Sequence, residues 1–266
     1  MTTHASTNPA SIRALALLGG TGLNVLEEAP DESVHETLDI DTPYGLPSAP
    51  VRLIRTTPLR LLFLPRHGSP HELPPHCVNY RANLWALRKA GAGRVLAVYA
   101  VGGLHEPYRP GALAAVDQLI DYTWGREHTF SDSGDVPLVH VDFTRPYEGP
   151  LRRALLAAAG KAGIELVDGG CIGVSQGPRL ESAAEVQRAR RDGCDLVGMT
   201  ALPEAALARE LGLDYAGIAV VSNWGAGVLD EPLSEDDIAA TLQEPMQRVR
   251  RLVEALQAEL ASGEPA

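Results

Sequence analysis

Positive charge is in short supply in this chain. Of 266 residues, 23 are Lys or Arg and 34 are Asp or Glu, a formal net charge of −11. Nucleic-acid and anionic-membrane surfaces need clustered cations, so neither is an expected partner. A small anion needs only a local site and stays open. Cysteine is scarce as well. Cys77, Cys171 and Cys194 cannot all pair within one chain, and their spacing matches no metal motif. No uninterrupted apolar run reaches the ~18 residues expected of a membrane span. Met1 to Ile12 is polar and lacks the apolar core of a secretory signal. The P-loop lysine and the full dinucleotide fingerprint are both missing, so neither an ATPase nor a nicotinamide enzyme follows. No linker rich in Pro, Gly and Ser divides the chain, and no repeat appears. These absences predict an acidic, reduced, cytoplasmic protein of enzyme size.

What is present is alternation. Short apolar runs predict strands at Ala14–Leu18, Val51–Arg55, Leu59–Leu64, Val95–Val101 and Leu113–Ile120. Further strands are expected at Glu165–Val174, Asp195–Gly198 and Tyr215–Val221. Helical spacing predicts helices over Tyr80–Ala90, Leu151–Ala162 and Ala183–Arg191. Thr200 is placed to cap a helix with Pro203 and Glu204 in its first turn. Ser234 is placed to cap a last helix striped by Ile238, Leu242, Val249, Val253 and Leu256, which Pro245 should kink or split. The expected fold class is α/β, one domain over 12–266 with a largely parallel or mixed sheet, after a disordered extension at 1–11. The stretch Gly125–Pro137 reads as a functional or mobile loop.

Ligands of α/β proteins bind outside the carboxyl ends of the strands. Here those ends carry Gly19-Gly20-Thr21-Gly22, Arg66-His67-Gly68, Ala100-Val101-Gly102-Gly103, Gln176-Gly177-Pro178-Arg179, Met199-Thr200 and Ser222-Asn223-Trp224. Bare glycine amides and a threonine hydroxyl can hold an oxyanion, and the planar fork of Arg66 suits phosphate. Each motif alone is weak; several on one rim favour an anion site. His71 and His76 lack a clean third ligand, so no metal is expected. No nucleophile elbow is visible, and the cysteines read as core residues.

Read together, these motifs resemble the trimeric purine nucleoside phosphorylases, in the order that family uses them. They include Val-Asn-Tyr-Arg-Ala-Asn-Leu-Trp-Ala-Leu at 78–87, Gln-Gly-Pro-Arg-Leu-Glu at 176–181 and Gly-Met-Thr-Ala-Leu-Pro-Glu at 198–204. The chain is most similar to the methylthioadenosine phosphorylase branch, from about Leu15 to the last helix. The resemblance implies a mixed central sheet flanked by helices, a homotrimer, and phosphorolysis of a purine nucleoside with phosphate as co-substrate and no other cofactor. It places Thr21, Arg66, His67, the Ala100 backbone and Thr200 at phosphate, with Tyr99 beside them through its amide. It places Met199 at the ribose, and Leu180, Glu181, Ser222, Asn223, Trp224 and Gly225 around the base. His140 would come from a neighbouring subunit to the 5′-substituent. His67, Thr200 and Asn223 are the expected catalytic groups.

The chain departs from that branch at four positions. Glu181, Asn223 and Gly225 stand where the branch has serine, aspartate and a second aspartate, and the Glu/Asn pair resembles the 6-oxopurine enzymes. Tyr99 replaces a small hydroxyl residue. An ionised Glu181 can only accept, which suits the N1–H of hypoxanthine; Asn223 can donate to O6 and accept from a protonated N7. The base pocket therefore reads 6-oxopurine and the remainder a 5′-methylthio nucleoside, implying phosphorolysis of 5′-methylthioinosine. The alternatives are a general inosine/guanosine phosphorylase, a methylthioadenosine phosphorylase, a nucleosidase and a non-catalytic purine-binding relative. Taken alone, Asn223 also reads as a turn former, Glu181 as a helix-terminal acid, and His140 and Trp224 as packed residues.

Overall fold

The computed structural model describes residues 14–20, 35–132, 137–230 and 234–262. Thr21, the extension at 1–11 and residues 133–136 of the expected loop lie outside them. One mixed sheet of eleven strands organises the rest. Its main path runs β2 (Glu36–Leu38), β3 (Val51–Arg55), β4 (Leu61–Pro65), β1 (Ala14–Gly19), β5 (Ala92–Gly103), β10 (Leu196–Gly198), β9 (Cys171–Val174), β7 (Gln118–Asp121). Off this path, β11 (Asp214–Trp224) pairs with β5 and with β6 (Leu113–Ala115), which also pairs with β8 (Val167–Asp168).

The apolar runs fold this way because both faces of the central strands are covered. Alternate residues divide between two cores. Ala16, Leu18, Leu62, Leu64, Val95 and Ala97 face one side with α1 (Tyr80–Lys89) and α4 (Ala201–Glu210). Leu15, Leu17, Leu61, Phe63, Leu96 and Val98 face the other, with α2 (Pro150–Ala162) and α5 (Glu235–Ser262). Chain signals start and stop the helices as elementary capping predicts. The Asn79 side chain accepts from Ala82 N (3.1 Å) to open α1, and Gly163 closes α2 in the left-handed region (φ 63°). Ser182 and Glu185 form a reciprocal capping box on α3 (Ala183–Arg191).

Five expectations are corrected. Leu113–Ile120 is two strands, because the chain leaves β11 after Ala115 and joins β9 at Gln118. Glu165–Val174 is also two strands, broken where Gly169 and Gly170 take φ values of 111° and 130°. Ser222-Asn223-Trp224 is not a turn: β11 continues through it, with Asn223 and Trp224 in register with Gly102 and Gly103. The last helix runs uninterrupted through Pro245, with Met246, Val249 and Leu252 locked in the second core around it. Tertiary packing overrides the local cost of proline there. Of the three cysteines only Cys194 is fully buried, whereas Cys77 is exposed at the end of a short 3₁₀ turn.

Candidate functional site

The strand ends meet at a cavity of about 610 Å³. Gly20 after β1, Arg66 and His67 after β4, and Ala100 in β5 form one wall. Met199 and Thr200 after β10 form the floor between that wall and the pair Glu181 and Asn223, with Leu180 and Ser222 alongside. Ile238 and Ala239 of α5, together with Leu73, Pro74 and Pro75, supply an apolar side.

Arg66 is 1% exposed and its fork is already engaged. Nε donates to Glu204 Oε2 (2.6 Å), and Nη2 donates to Glu204 Oε1 (2.9 Å) and to Leu18 O (3.1 Å). Nη1 donates to Val98 O (3.1 Å) and is also the atom closest to Gly20, 3.0 Å from where a Cβ there would stand. Four of five N–H groups are thus committed, and one on Nη1 has no partner among the described residues. Burial alone would lower the Arg66 pKa, but Glu204 overrides that and holds the guanidinium charged. Glu204, fully buried, also accepts from the Tyr215 hydroxyl (2.6 Å). It is therefore the counter-ion of the site, where its position in the sequence suggested only a helix-terminal acid.

His67 is fixed in its tautomer. Its Nδ1 lies 2.7 Å from Leu73 O, and a carbonyl can only accept, so Nδ1 carries the hydrogen. Nε2 is left as an acceptor near Gly20, 3.4 Å from that glycine's Cβ position. Burial first, then the Arg66 charge, push the His67 pKa down to about 4. His71 stacks on the ring at 4.4 Å. The Thr200 hydroxyl makes no capping bond to α4, contrary to the helix cap expected of it.

At the edge carrying Glu181 and Asn223, Asn223 Nδ2 donates to Trp224 O (2.7 Å), which fixes the amide orientation. The Ser222 hydroxyl donates to Asn223 Oδ1 (2.7 Å). One N–H and one oxygen lone pair of the amide remain for a ligand. Glu181 stands one residue before the cap of α3, and the Ser175 hydroxyl donates to its Oε1 (2.5 Å).

The structure does not bring every expected residue to the cavity. Tyr99 points into the core, where its hydroxyl meets that of Tyr215 and its ring lies under the Arg66 guanidinium at 5.3 Å. Trp224 does not line the cavity, and its carbonyl accepts from Asn223 Nδ2. Gly225 is packed: a Cβ there would stand 2.8 Å from Leu104 Cδ2 and 3.3 Å from Val186. His140 is exposed and does not line the cavity of its own chain. Three functional groups escaped the sequence reading: Glu204, Ser175 and Arg126. Arg126 sits in the expected loop yet is only 8% exposed. Among the described residues, no group of three His, Cys, Asp or Glu side chains is placed to hold a metal, and no helix is long and apolar enough to cross a membrane.

A cavity at the carboxyl ends of a mixed α/β sheet is where enzymes of this architecture take up their substrates. The sequence model of the phosphorylase superfamily matches residues 14–258, and the chain belongs to that family. A probable S-methyl-5′-thioinosine phosphorylase of Xanthomonas campestris pv. campestris is 52% identical over 235 residues, 86% of this chain and 93% of that protein. A 6-oxopurine nucleoside phosphorylase of Pyrococcus furiosus is 38% identical over 90% of each chain. The solved structure of the Schistosoma mansoni methylthioadenosine phosphorylase in complex with adenine superposes with a TM-score of 0.87 at 30% identity, covering 95% of this chain and 93% of that one.

Proposed function

We propose that the protein cleaves S-methyl-5′-thioinosine with phosphate, giving hypoxanthine and 5-methylthioribose 1-phosphate. It is a purine nucleoside phosphorylase, a pentosyltransferase, and phosphate is its co-substrate. The observation that carries the choice of base is the pairing of Glu181 with a fixed Asn223 on one edge of the cavity. The free Nδ2 hydrogen of Asn223 suits O6, and its oxygen suits N7 once that nitrogen is protonated. The free oxygen of Glu181 suits N1–H. Adenine presents the opposite pattern and would leave buried polar groups unpaired, at about 1–3 kcal/mol each.

Phosphate sits against Gly20, Arg66, His67, the Ala100 backbone and Thr200. Because Nε2 of His67 can only accept, it meets the protonated oxygen of monohydrogen phosphate. The C1′–N9 bond breaks with its electron pair going to the purine. A phosphate oxygen forms the new bond to C1′, and the proton that phosphate brought balances the N–H of hypoxanthine. Asn223 holds the leaving base as N7 gains basicity. Acceleration comes from positioning and fixed dipoles, with no covalent intermediate and no further cofactor. The apolar side formed by Ile238, Leu73 and Pro74 suits a methylthio group. A homotrimer brings His140 of a neighbouring copy to that end; the exposure of Leu138 (71%) and Val139 (57%) beside it supports a covered surface. The three cysteines are free thiols, which supports a reducing, cytoplasmic setting.

A second reading, a general 6-oxopurine nucleoside phosphorylase, is favoured by the Pyrococcus relative. The test is product analysis with and without phosphate. Hypoxanthine and the sugar 1-phosphate should form only when phosphate is present. Hydrolysis without phosphate would make the protein a nucleosidase and sink the proposal, as would binding without turnover.

A further inference from the structure

Arg126 is a buried arginine with no carboxylate among its hydrogen-bond partners in the described residues. All five of its N–H groups are nevertheless met. Nη1 donates to Met199 O (2.8 Å) and Leu202 O (2.6 Å). Nη2 donates to Ser175 O (3.2 Å) and Gln176 O (2.8 Å), and Nε donates to Gln176 Oε1 (3.2 Å). One edge of the planar fork therefore grips the segment after β10, and the other edge grips the segment after β9. Strands β9 and β10 run parallel and are joined for the last time where Ser175 N donates to Gly198 O (2.8 Å). Beyond that bond the guanidinium spans the two segments. Both segments carry site groups. Ser175 holds the Glu181 carboxylate, and Met199 and Thr200 line the floor.

Nη1 also has the Tyr80 hydroxyl at 3.4 Å, and a buried cation solvated only by neutral acceptors is costly unless its donors are fully used. Here they are, in a geometry that a lysine ammonium cannot copy, because its three donors radiate from one point. We propose that Arg126 is a positioning residue: it sets the distance between the base-reading segment at 175–181 and the ribose- and phosphate-facing segment at 199–202. This rests on the phosphorolysis reading for its effect on turnover, but not for its effect on the two segments.

The test combines R126A and R126K with kinetics and with amide hydrogen exchange. R126A should lower kcat/KM for 5′-methylthioinosine by about 10- to 100-fold, the scale of a misplacement near 1 Å. It should also narrow the preference for 6-oxo over 6-amino substrate. Guanidinium ion below denaturing concentrations should restore part of both in R126A, which a purely structural defect would not allow. R126K should stay impaired, and it carries the decision if R126A does not fold. In either variant, exchange should rise together at 175–181 and 199–202. Unchanged exchange in both segments would overturn the proposal whatever the activity. Unchanged kcat/KM and selectivity in an active enzyme would overturn it as well. An inactive wild-type protein with both segments loosened in the variants would instead count against the phosphorolysis reading alone.

Discussion

The Arg66–Glu204 pair allows stability and phosphate use to be separated by a double-mutant cycle. Both side chains are essentially inaccessible, at 1% and 0% exposure. Replacing Glu204 with Leu strands a buried guanidinium held only by Leu18 O and Val98 O. Replacing Arg66 with Met strands a buried carboxylate held by the Tyr215 hydroxyl. Breaking one side of a buried pair costs about 3–5 kcal/mol. For a chain of this size that corresponds to a drop in Tm of roughly 6–20 °C. The double variant R66M/E204L leaves no orphaned charge, only the Leu18 and Val98 carbonyls and the Tyr215 hydroxyl, at about 1–3 kcal/mol each. Its cost should fall short of the sum of the singles by about 1–3 kcal/mol. Phosphate use should not recover with stability. Losing the free Nη1 hydrogen removes a charge-assisted contact, so the phosphate KM of the double variant should stay raised by about 10- to 100-fold. Urea unfolding and initial rates against phosphate measure both quantities. Additive stability losses would refute the buried-pair account. A phosphate KM restored to wild type in R66M/E204L would refute the placing of Arg66 at phosphate.

Other outcomes follow from single groups. Asn223→Asp should cost the 6-oxo substrate about 10- to 100-fold in kcat/KM, because a carboxylate repels O6. The gain for the 6-amino substrate should be smaller, since the new oxygen also faces Trp224 O, which Nδ2 now reaches at 2.7 Å; unchanged selectivity would count against the base-reading role. The His67 pKa is lowered in the fold to about 4. The unfolded chain therefore binds more protons between pH 6.5 and 4, and stability must fall as pH drops through that window, by about 3 kcal/mol near its end. His67→Asn keeps a donor for Leu73 O but cannot titrate, so its stability should be flatter over that range in urea titrations at several pH values; an identical slope would contradict the buried neutral ring.

Much of this was legible in the sequence, for identifiable reasons. The strand expected at Ala14–Leu18 is found, one residue longer, because both its faces are buried, and α3 spans the expected Ala183–Arg191. The convergence of Gly20, Arg66, Thr200 and Asn223 on one cavity follows from the rule of strand ends. What stayed hidden depends on distant partners. Periodicity cannot show that a strand changes neighbours at Val116 and Asp117, nor that β11 extends through Asn223 because Gly102 pairs with it. Glu204 looks like an N-terminal helix acid until Arg66, 138 positions away, is seen beside it. Arg126 looks like one more charge in a polar loop, and only the fold reveals the four carbonyls around it.

The central claim is a site that reads a 6-oxopurine at one end and an apolar 5′-substituent at the other. Its most direct test is kcat/KM at saturating phosphate for four nucleosides: 5′-methylthioinosine, inosine, 5′-methylthioadenosine and adenosine. The account predicts 5′-methylthioinosine first, with the 6-amino partner reduced by about 10-fold or more and inosine by a smaller factor set by one apolar contact. Preference for 5′-methylthioadenosine over 5′-methylthioinosine would contradict the assignment of Glu181 and Asn223, and preference for inosine would contradict the apolar 5′ end.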